Sequence, residues 1–339
     1  MTKGLAILCM VVLHLFCRKG DDVIGTPLLW LDSETPAVYI FGFLSEICVP
    51  IYSMCSGYAH YVIGENHHLT LLEGFRRIFR FLLNYWIIVI LFSLIGIVID
   101  TPDVPISCLK FIKAIFLLDT YNGAWWYVAT YVLLCICSPL VYRLVKKSNW
   151  ILVFFMASGQ YGIMYICDRL ELIPTIKNPA IDFLICQFDN FFGDVLLCYI
   201  LGMLLVKLNV FGRIQNLVSV DRVSSSRMLT LKITVMLIIS GGVFILEKGI
   251  IMPYYALFIF LIFNSTNIKG RWRKIFMFFG THSMNIWLIH MFFYLCMFPG
   301  FVFTAKYPIF ILAYMLAICL VFSYFINWIY NKVCIFIKI

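Results

Sequence analysis

Charged residues are scarce in this sequence of 339 residues: they make up 13%, against 63% hydrophobic residues. A soluble domain carries roughly a quarter charged residues, so this composition excludes an ordinary soluble protein. The sequence also lacks a polar stretch long enough for an extramembrane domain. Short connectors separate apolar runs of about 20 residues, the length that crosses roughly 30 Å of hydrocarbon. We therefore predict an all-α, polytopic membrane bundle in which residues 1–339 form one domain, with no soluble domain appended.

Metal-ligand spacings and paired cysteines are absent as well. The thirteen cysteines are scattered, mostly within apolar runs, and no CxxC pair occurs, which argues against a disulfide framework and against a zinc site. The net charge of +9 does not indicate a nucleic-acid partner, because the Lys and Arg residues collect in alternate connectors, as the positive-inside rule predicts. A cleavage site of small residues is missing after the first apolar run, so this run is predicted to be a span and not a signal peptide.

Ten apolar runs are predicted to cross the membrane. They cover roughly 4–17, 37–63, 78–99, 124–144, 150–167, 183–206, 229–246, 250–264, 275–298 and 307–334. The connectors that carry most of the Lys and Arg are 64–80, 143–149, 207–228 and 265–274. These connectors fall on one side if the ten runs cross in turn, so both termini are predicted to be cytoplasmic. The shorter piece 106–118 is predicted to be an external amphipathic helix, because an eleventh span would move the basic connector 143–149 outside.

Ionisable residues inside the predicted spans are the first functional candidates, because an unpaired charge at that depth is costly. His14 lies about 15 Å from one edge of the first span and Glu46 about 14 Å into the second span from the other edge, at 1.5 Å per residue. The two side chains are predicted to meet, with the carboxylate fixing the imidazole tautomer for general-base catalysis. A purely structural pair is the alternative. For Asp189 and Asp194 in the sixth span, helix pairing and a water-filled cavity are equally good explanations.

Basic side chains at the predicted cytoplasmic feet indicate a phosphate-bearing ligand. Lys3 and His14 are eleven residues apart, close to three helical turns, so they share a face about 16 Å apart along the axis. Arg77 and Arg80, at spacing i,i+3, are predicted to project side by side as two guanidinium forks suited to phosphate, with Arg76 beside them. The positive-inside rule alone also explains arginines here, so both interpretations stay open.

Hydroxyl and aromatic groups add candidates with structural alternatives. The run from Ser53 to Tyr58, which includes Ser56, contains small side chains that permit close helix packing, and such packing explains the run without a ligand. Trp126 and Tyr127 begin the fourth span. They are explained either by an interfacial aromatic belt or by the wall of a substrate site. In the ninth span Ser283, Trp287 and His290 share one stripe. The connector pair His67-His68 is predicted to be solvated.

Taken together, these motifs resemble acyltransferase family 3, a family of integral membrane acyltransferases. The first span resembles the family's Arg-Gly start and later His, with Lys3 in place of Arg and the spacing to His14 kept. Further resemblances follow in family order along nearly the whole chain: Ser56-Gly57-Tyr58, Arg77-Ile78-Phe79-Arg80, Trp126-Tyr127-Val128 and the run from Ser283 to His290. Many members carry an acid six residues before the serine of the second span. Pro50 stands there in this chain, and Glu46 precedes it by one helical turn.

The resemblance implies an enzyme of the bacterial inner membrane that transfers an acetyl group from cytoplasmic acetyl-CoA to a carbohydrate hydroxyl. The acceptor would be capsule, lipopolysaccharide, exopolysaccharide or a peptidoglycan precursor, reached within membrane lipid. The implied coenzyme contacts are Lys3, Arg76, Arg77 and Arg80, and the implied catalytic pair is His14 and Glu46. The implied substrate contacts are Ser56, Tyr58, Trp126, Tyr127, Ser283 and His290.

Two other functions compete with this one. A carrier or flippase for a lipid-linked sugar or amino acid would use His14 and Glu46 as a proton relay. It predicts paired broken helices near the midplane, which the glycines and prolines do not clearly show. A non-catalytic membrane scaffold is the second alternative, but it would not explain why His14 and Glu46 lie within the membrane.

Overall fold

The computed structural model describes residues 1–66, 69–173, 178–220, 225–247 and 249–337, and within these ranges it forms helices and no β-strand. The predicted all-α class is confirmed, while His67 and His68 lie outside the described residues. Two π-helical turns are present, Asn190–Val195 and Phe292–Met297. The α-helices are α1 (Thr2–Phe16), α2 (Tyr39–Leu44), α3 (Cys48–Glu65), α4 (Leu71–Val98), α5 (Cys108–Ile115), α6 (Trp126–Lys147), α7 (Trp150–Arg169), α8 (Pro179–Asp189), α9 (Leu196–Lys207), α10 (Val210–Val220), α11 (Ser225–Leu246), α12 (Met252–Ser265), α13 (Gly270–Met291), α14 (Pro299–Phe303) and α15 (Pro308–Ile337).

Seven helical segments of the described chain are long and apolar enough to cross a membrane. They are Tyr39–Glu65, Leu71–Val98, Gly123–Lys147, Trp150–Arg169, Ile181–Lys207, Arg227–Leu246 and Pro308–Ile337, and each overlaps one predicted span. The other three predicted spans correspond to α1, to the shorter apolar segment Gly249–Ser265 and to α13. The count of ten crossings and the cytoplasmic placement of both termini stay predictions.

The helix inside 106–118 is short. α5 has eight residues, which gives a length of about 12 Å at 1.5 Å per residue. The hydroxyl of Ser107 caps its start by accepting a hydrogen bond from the backbone N–H of Lys110 at 3.2 Å, as expected for an N-cap serine. A helix of this length cannot cross the hydrocarbon core, so it does not add an eleventh span.

α1 is the central helix and packs against α2, α3, α12 and α13. Its closest approach is to α13, where Gly4 touches the backbone: a Cβ at Gly4 would collide with the carbonyl of Phe276. Gly280 of α13 faces Gly4 in return. Small residues at a crossing let two membrane helices approach closely, and this contact fixes the position of His14 relative to α13.

The predicted small-residue contact surface in the second span packs against α9. A Cβ at Gly57 of α3 would collide with the carbonyl of Tyr199, and a Cβ at Gly202 of α9 would collide with the carbonyl of Met54. The two helices therefore touch backbone to backbone along this face. The packing interpretation of the run from Ser53 to Tyr58 accounts for the side that carries Gly57.

A polar network joins α4, α13 and α15. Asn285 of α13 accepts a hydrogen bond from Asn84 at 2.7 Å, and its own amide donates to Ser323 Oγ at 3.0 Å and to Asn327 Oδ1 at 2.9 Å. The imidazole of His282 bonds the same serine at 2.9 Å. Such bonds stabilise helix association in lipid, so they tie α13 to α4 and α15.

Candidate active site

A cavity of about 420 Å³ opens beside the C-terminal part of α1. His14 and Glu46 both line it, so the two predicted catalytic residues do face one space, and Trp126 forms part of its wall. The contacts among the described residues include no hydrogen bond between the imidazole and the Glu46 carboxylate. The predicted tautomer-fixing contact is therefore not formed in this structure. We call this space the His14 cavity.

Three further carboxylates line the His14 cavity: Asp168, Asp189 and Asp194. No Lys or Arg occurs among its described lining residues. Of the two explanations that the sequence left open for Asp189 and Asp194, the structure favours the cavity. Asp168 was not a predicted site residue, because it stands at the end of its span and was counted as connector charge. Its position in the last turn of α7, next to an apolar span, could have indicated that it lines a cavity in the bundle.

His290 lies directly behind His14. The two ring centroids are 5.0 Å apart with the rings tilted by 43°, and His290 is fully buried at 0% exposure. Its Nδ1 lies 2.7 Å from the carbonyl oxygen of Trp287. Because a carbonyl only accepts, Nδ1 carries the ring proton and Nε2 keeps its lone pair. Among the described residues Nε2 has no hydrogen-bond partner, so a buried nitrogen with an unused lone pair lies beside His14.

Two tryptophans fasten the start of α6 to α13. The indole N–H of Trp125 donates to the carbonyl of Leu288 at 2.8 Å, and the indole N–H of Trp287 donates to the carbonyl of Ala124 at 3.0 Å. The bonds run in opposite directions between the same two segments, so they fix both the distance and the register. His290 is held in place as a result, because it is hydrogen-bonded to the backbone of the same turn.

A second, smaller cavity of about 110 Å³ lies near the other end of α1. We call it the Lys3 chamber. Its lining unites several residues that the sequence singled out, namely Lys3, Ser56, Tyr127, Ser283 and Trp287. The three residues of the predicted stripe in the ninth span therefore lie at two different places. Ser283 and Trp287 line the chamber, and His290 lies next to His14.

One turn of α1 separates the two cavities. Met10 lines the Lys3 chamber, and His14, four residues on, lines the His14 cavity. On α6 the neighbours Trp126 and Tyr127 line different cavities. The hydroxyl of Tyr127 lies 3.3 Å from the buried Ser53 hydroxyl. We call the turn of α1 from Met10 to His14, together with Trp126 and Tyr127 of α6, the layer between the two cavities.

The three arginines of α4, which include the predicted pair Arg77 and Arg80, differ in burial. Arg77 is half-buried, and its Nε and Nη2 are shielded from solvent without a hydrogen-bond partner among the described residues. Arg80 is exposed. Arg76 is also exposed and forms an ion pair with Glu73 at 2.5 Å. One helical face thus presents a single arginine to the interior.

Comparison with known proteins identifies the family. A family model described as an acyltransferase domain, Acyl_transf_3, matches residues 1–328. The chain belongs to acyltransferase family 3. The match covers both cavities and every residue named at them, so the resemblance found in the sequence motifs is confirmed. No match was found among curated proteins, and none among solved structures.

One polar residue of this acyltransferase family member was missed in the sequence. His60 of α3 is buried at 4% exposure, and its Nδ1 lies 2.7 Å from the hydroxyl of Tyr199. The rings of His60 and Tyr199 also contact each other edge to face, with centroids 5.7 Å apart. The signal was its spacing, because His60 follows Gly57 by three residues on the buried stripe of the helix.

Proposed function

We propose that this chain is a membrane O-acetyltransferase that moves an acetyl group from acetyl-CoA to a hydroxyl of a cell-surface or lipid-linked saccharide. The observation that carries the proposal is the arrangement along α1: a chamber lined by Lys3 and a carboxylate-lined cavity lie one turn apart, with His14 and His290 next to each other at the cavity. Family membership supports acyl transfer, and the two cavities supply a separate place for a donor and for an acceptor.

The donor side is argued from its cations. A buried donor without a partner costs about 1–3 kcal/mol, so the guanidinium of Arg77 favours an anionic ligand, and phosphate matches its fork. Lys3 lines the chamber itself and supplies a second cation for the donor. The distance from Lys3 to His14 is about 16 Å on the helical rise, similar to the extended arm that joins the phosphates of coenzyme A to its sulfur. Ser56, Tyr127 and Ser283 line that chamber, so they are assigned to the donor arm.

The acceptor side is argued from the His14 cavity. Carboxylates accept hydrogen bonds from sugar hydroxyls, and the indole of Trp126 offers an apolar face for a sugar ring. The space of about 420 Å³ lies in the range of small-molecule sites. A saccharide carried on a lipid can approach it from within the membrane, which agrees with the proposed location in a bacterial inner membrane.

The transfer follows from the histidines. His14 takes the proton of the acceptor hydroxyl as that oxygen attacks the thioester carbonyl carbon. The new C–O bond forms, the C–S bond breaks, and the proton passes to the leaving coenzyme sulfur, so that acetyl ester and free thiol are the products. Glu46, in the same cavity, offsets the positive charge that forms on His14. His290 provides a second basic nitrogen for this proton transfer.

The test uses the protein in native membranes with acetyl-CoA labelled in the acetyl group. Wild type is expected to label a saccharide fraction, and His14→Ala and His290→Ala are expected to lose the label by 100-fold or more, about 10²–10⁴ being usual for a general base. His282→Ala is the matched control, because this buried histidine of the same helix bonds Ser323 and lines neither cavity. If a sugar lipid crosses the membrane while no label moves, the carrier function replaces this one.

A further inference from the structure

A third cavity, of about 390 Å³, lies at the Lys3 end of the bundle. We call it the aromatic vestibule. Three rings form its wall: the centroids of Tyr58 and Phe211 are 6.2 Å apart, and those of Phe211 and Phe260 are 6.3 Å apart. None of these aromatic residues serves the acetyl transfer described above, and the sequence assigned only Tyr58 to a substrate.

Two polar side chains of the vestibule, Thr2 and Asn264, are already hydrogen-bonded. Thr2 Oγ1 donates to Asn264 Oδ1 at 2.7 Å, and the amide of Asn264 donates to the carbonyl of Phe260 at 2.8 Å. The faces of the rings are therefore the surface that a ligand would contact. A flat, amphipathic ring system fits such a wall, because stacking on aromatic faces needs no particular hydrogen-bond pattern.

The vestibule adjoins the Lys3 chamber. On α3, Tyr52 and Ser56 line the chamber, while Cys55 and Tyr58 line the vestibule on the neighbouring stripe of the same helix. On α1, Thr2 lines the vestibule, and the next residue, Lys3, lines the chamber. A cation thus stands where the two spaces approach each other.

We propose that the aromatic vestibule binds the adenine base of the acetyl-CoA donor, with the coenzyme pyrophosphate beside Lys3 and the pantetheine arm in the Lys3 chamber. The order of the three sites matches the order of the three parts of the coenzyme: a flat base, a doubly charged link and a narrow arm. This assignment rests on the proposed acetyl-CoA donor, and it adds a subsite for the nucleotide. An apolar lipid chain would fill the vestibule without using the cation at its boundary.

The experiment compares two donors, acetyl-CoA and acetyl-4′-phosphopantetheine, which carries the same thioester and arm but no adenosine. Phe211→Ala is expected to raise the KM for acetyl-CoA about 5- to 150-fold, the change that corresponds to about 1–3 kcal/mol of base stacking, and to leave the KM for acetyl-4′-phosphopantetheine unchanged. Phe211→Tyr keeps a ring and is expected to behave as wild type. Phe310→Ala is the control, since this ring is 57% exposed on α15, away from the vestibule.

An equal rise of KM for both donors in Phe211→Ala overturns the adenine site, because the defect then does not depend on the nucleotide. If the wild type uses neither donor, the proposed function fails, and binding alone decides the vestibule. The probe is then radiolabelled adenosine 3′,5′-bisphosphate in equilibrium dialysis against the full chain in nanodiscs. Binding by wild type and Phe310→Ala with loss in Phe211→Ala supports the site, and equal binding by all three, or none by wild type, overturns it.

Discussion

Replacing Arg77 by alanine tests the donor site most directly. Two of its guanidinium nitrogens are shielded and have no partner among the described residues, so a phosphate of the donor is expected to supply their acceptors. A hydrogen bond to a charged group contributes about 1.5–3 kcal/mol, and two such bonds at the low end give about 3 kcal/mol. At 1.4 kcal/mol per tenfold change, we expect the KM for acetyl-CoA to rise about 100-fold. Since the proposed contact of Arg77 is with a remote part of the donor, kcat should change little.

Initial rates against acetyl-CoA concentration, in nanodiscs, measure the effect. Arg76→Ala is the matched control from the adjacent position, because Arg76 is exposed and pairs with Glu73. An exposed ion pair contributes about 0–1 kcal/mol, so its KM should change less than about fivefold. Arg77→Lys keeps the charge without the fork and should lie between wild type and Arg77→Ala.

Stability without ligand provides a second measure of the same reasoning. Buried donors without partners destabilise the free protein, so Arg77→Ala should unfold at a temperature at least as high as wild type when no coenzyme is present. Addition of coenzyme A should stabilise wild type more than the variant. The reasoning is refuted if Arg77→Ala and Arg76→Ala have the same KM, or if Arg77→Ala is destabilised while its KM stays that of wild type.

Two further predictions concern the packing that positions the site. Gly4→Ala should lower the free energy of unfolding in detergent by about 1–3 kcal/mol, because the added methyl group meets the carbonyl of Phe276. Gly241→Ala is the control, since a Cβ at Gly241 would have no atom within 4 Å. Equal unfolding midpoints for the two variants would contradict the close crossing of α1 and α13. Asn285→Ala should lower the free energy of unfolding by about 1–2 kcal/mol, since it removes several interhelical hydrogen bonds of roughly 0.6 kcal/mol each. The same unfolding experiment measures it. If the exposed control Thr281→Ala lowers the free energy of unfolding by as much, the result contradicts the network.

The parts of the site that depend on distance along a helix could be predicted from the sequence. Hydrophobic length located the helices, and the rise of 1.5 Å per residue placed His14 and Glu46 at similar depth. Both line the same cavity in the structure. Rotation about the helix axis could not be predicted for Arg77 and Arg80. Their spacing fixes the angle between them but not which of the two faces the interior.

Contacts between distant segments were beyond the sequence. His14 and His290 meet because α1 crosses α13 at Gly4 and Gly280, and nothing local to either helix specifies that neighbour. The predicted carboxylate partner of His14 was inferred from depth alone, which admits any polar group at that level. Packing selected the imidazole of His290 as the ring that touches it.

The layer between the two cavities also has a consequence for the energy metabolism of the cell. A continuous aqueous path through the bundle would discharge the electrochemical gradient across the bilayer. Met10 and Tyr127 line the Lys3 chamber on one side of this layer, and His14 and Trp126 line the cavity on the other. An ion entering the packed layer loses its hydration, whereas an acetyl group carries no charge. The proposed transfer would hand over a neutral group, so it requires no path for ions across this layer.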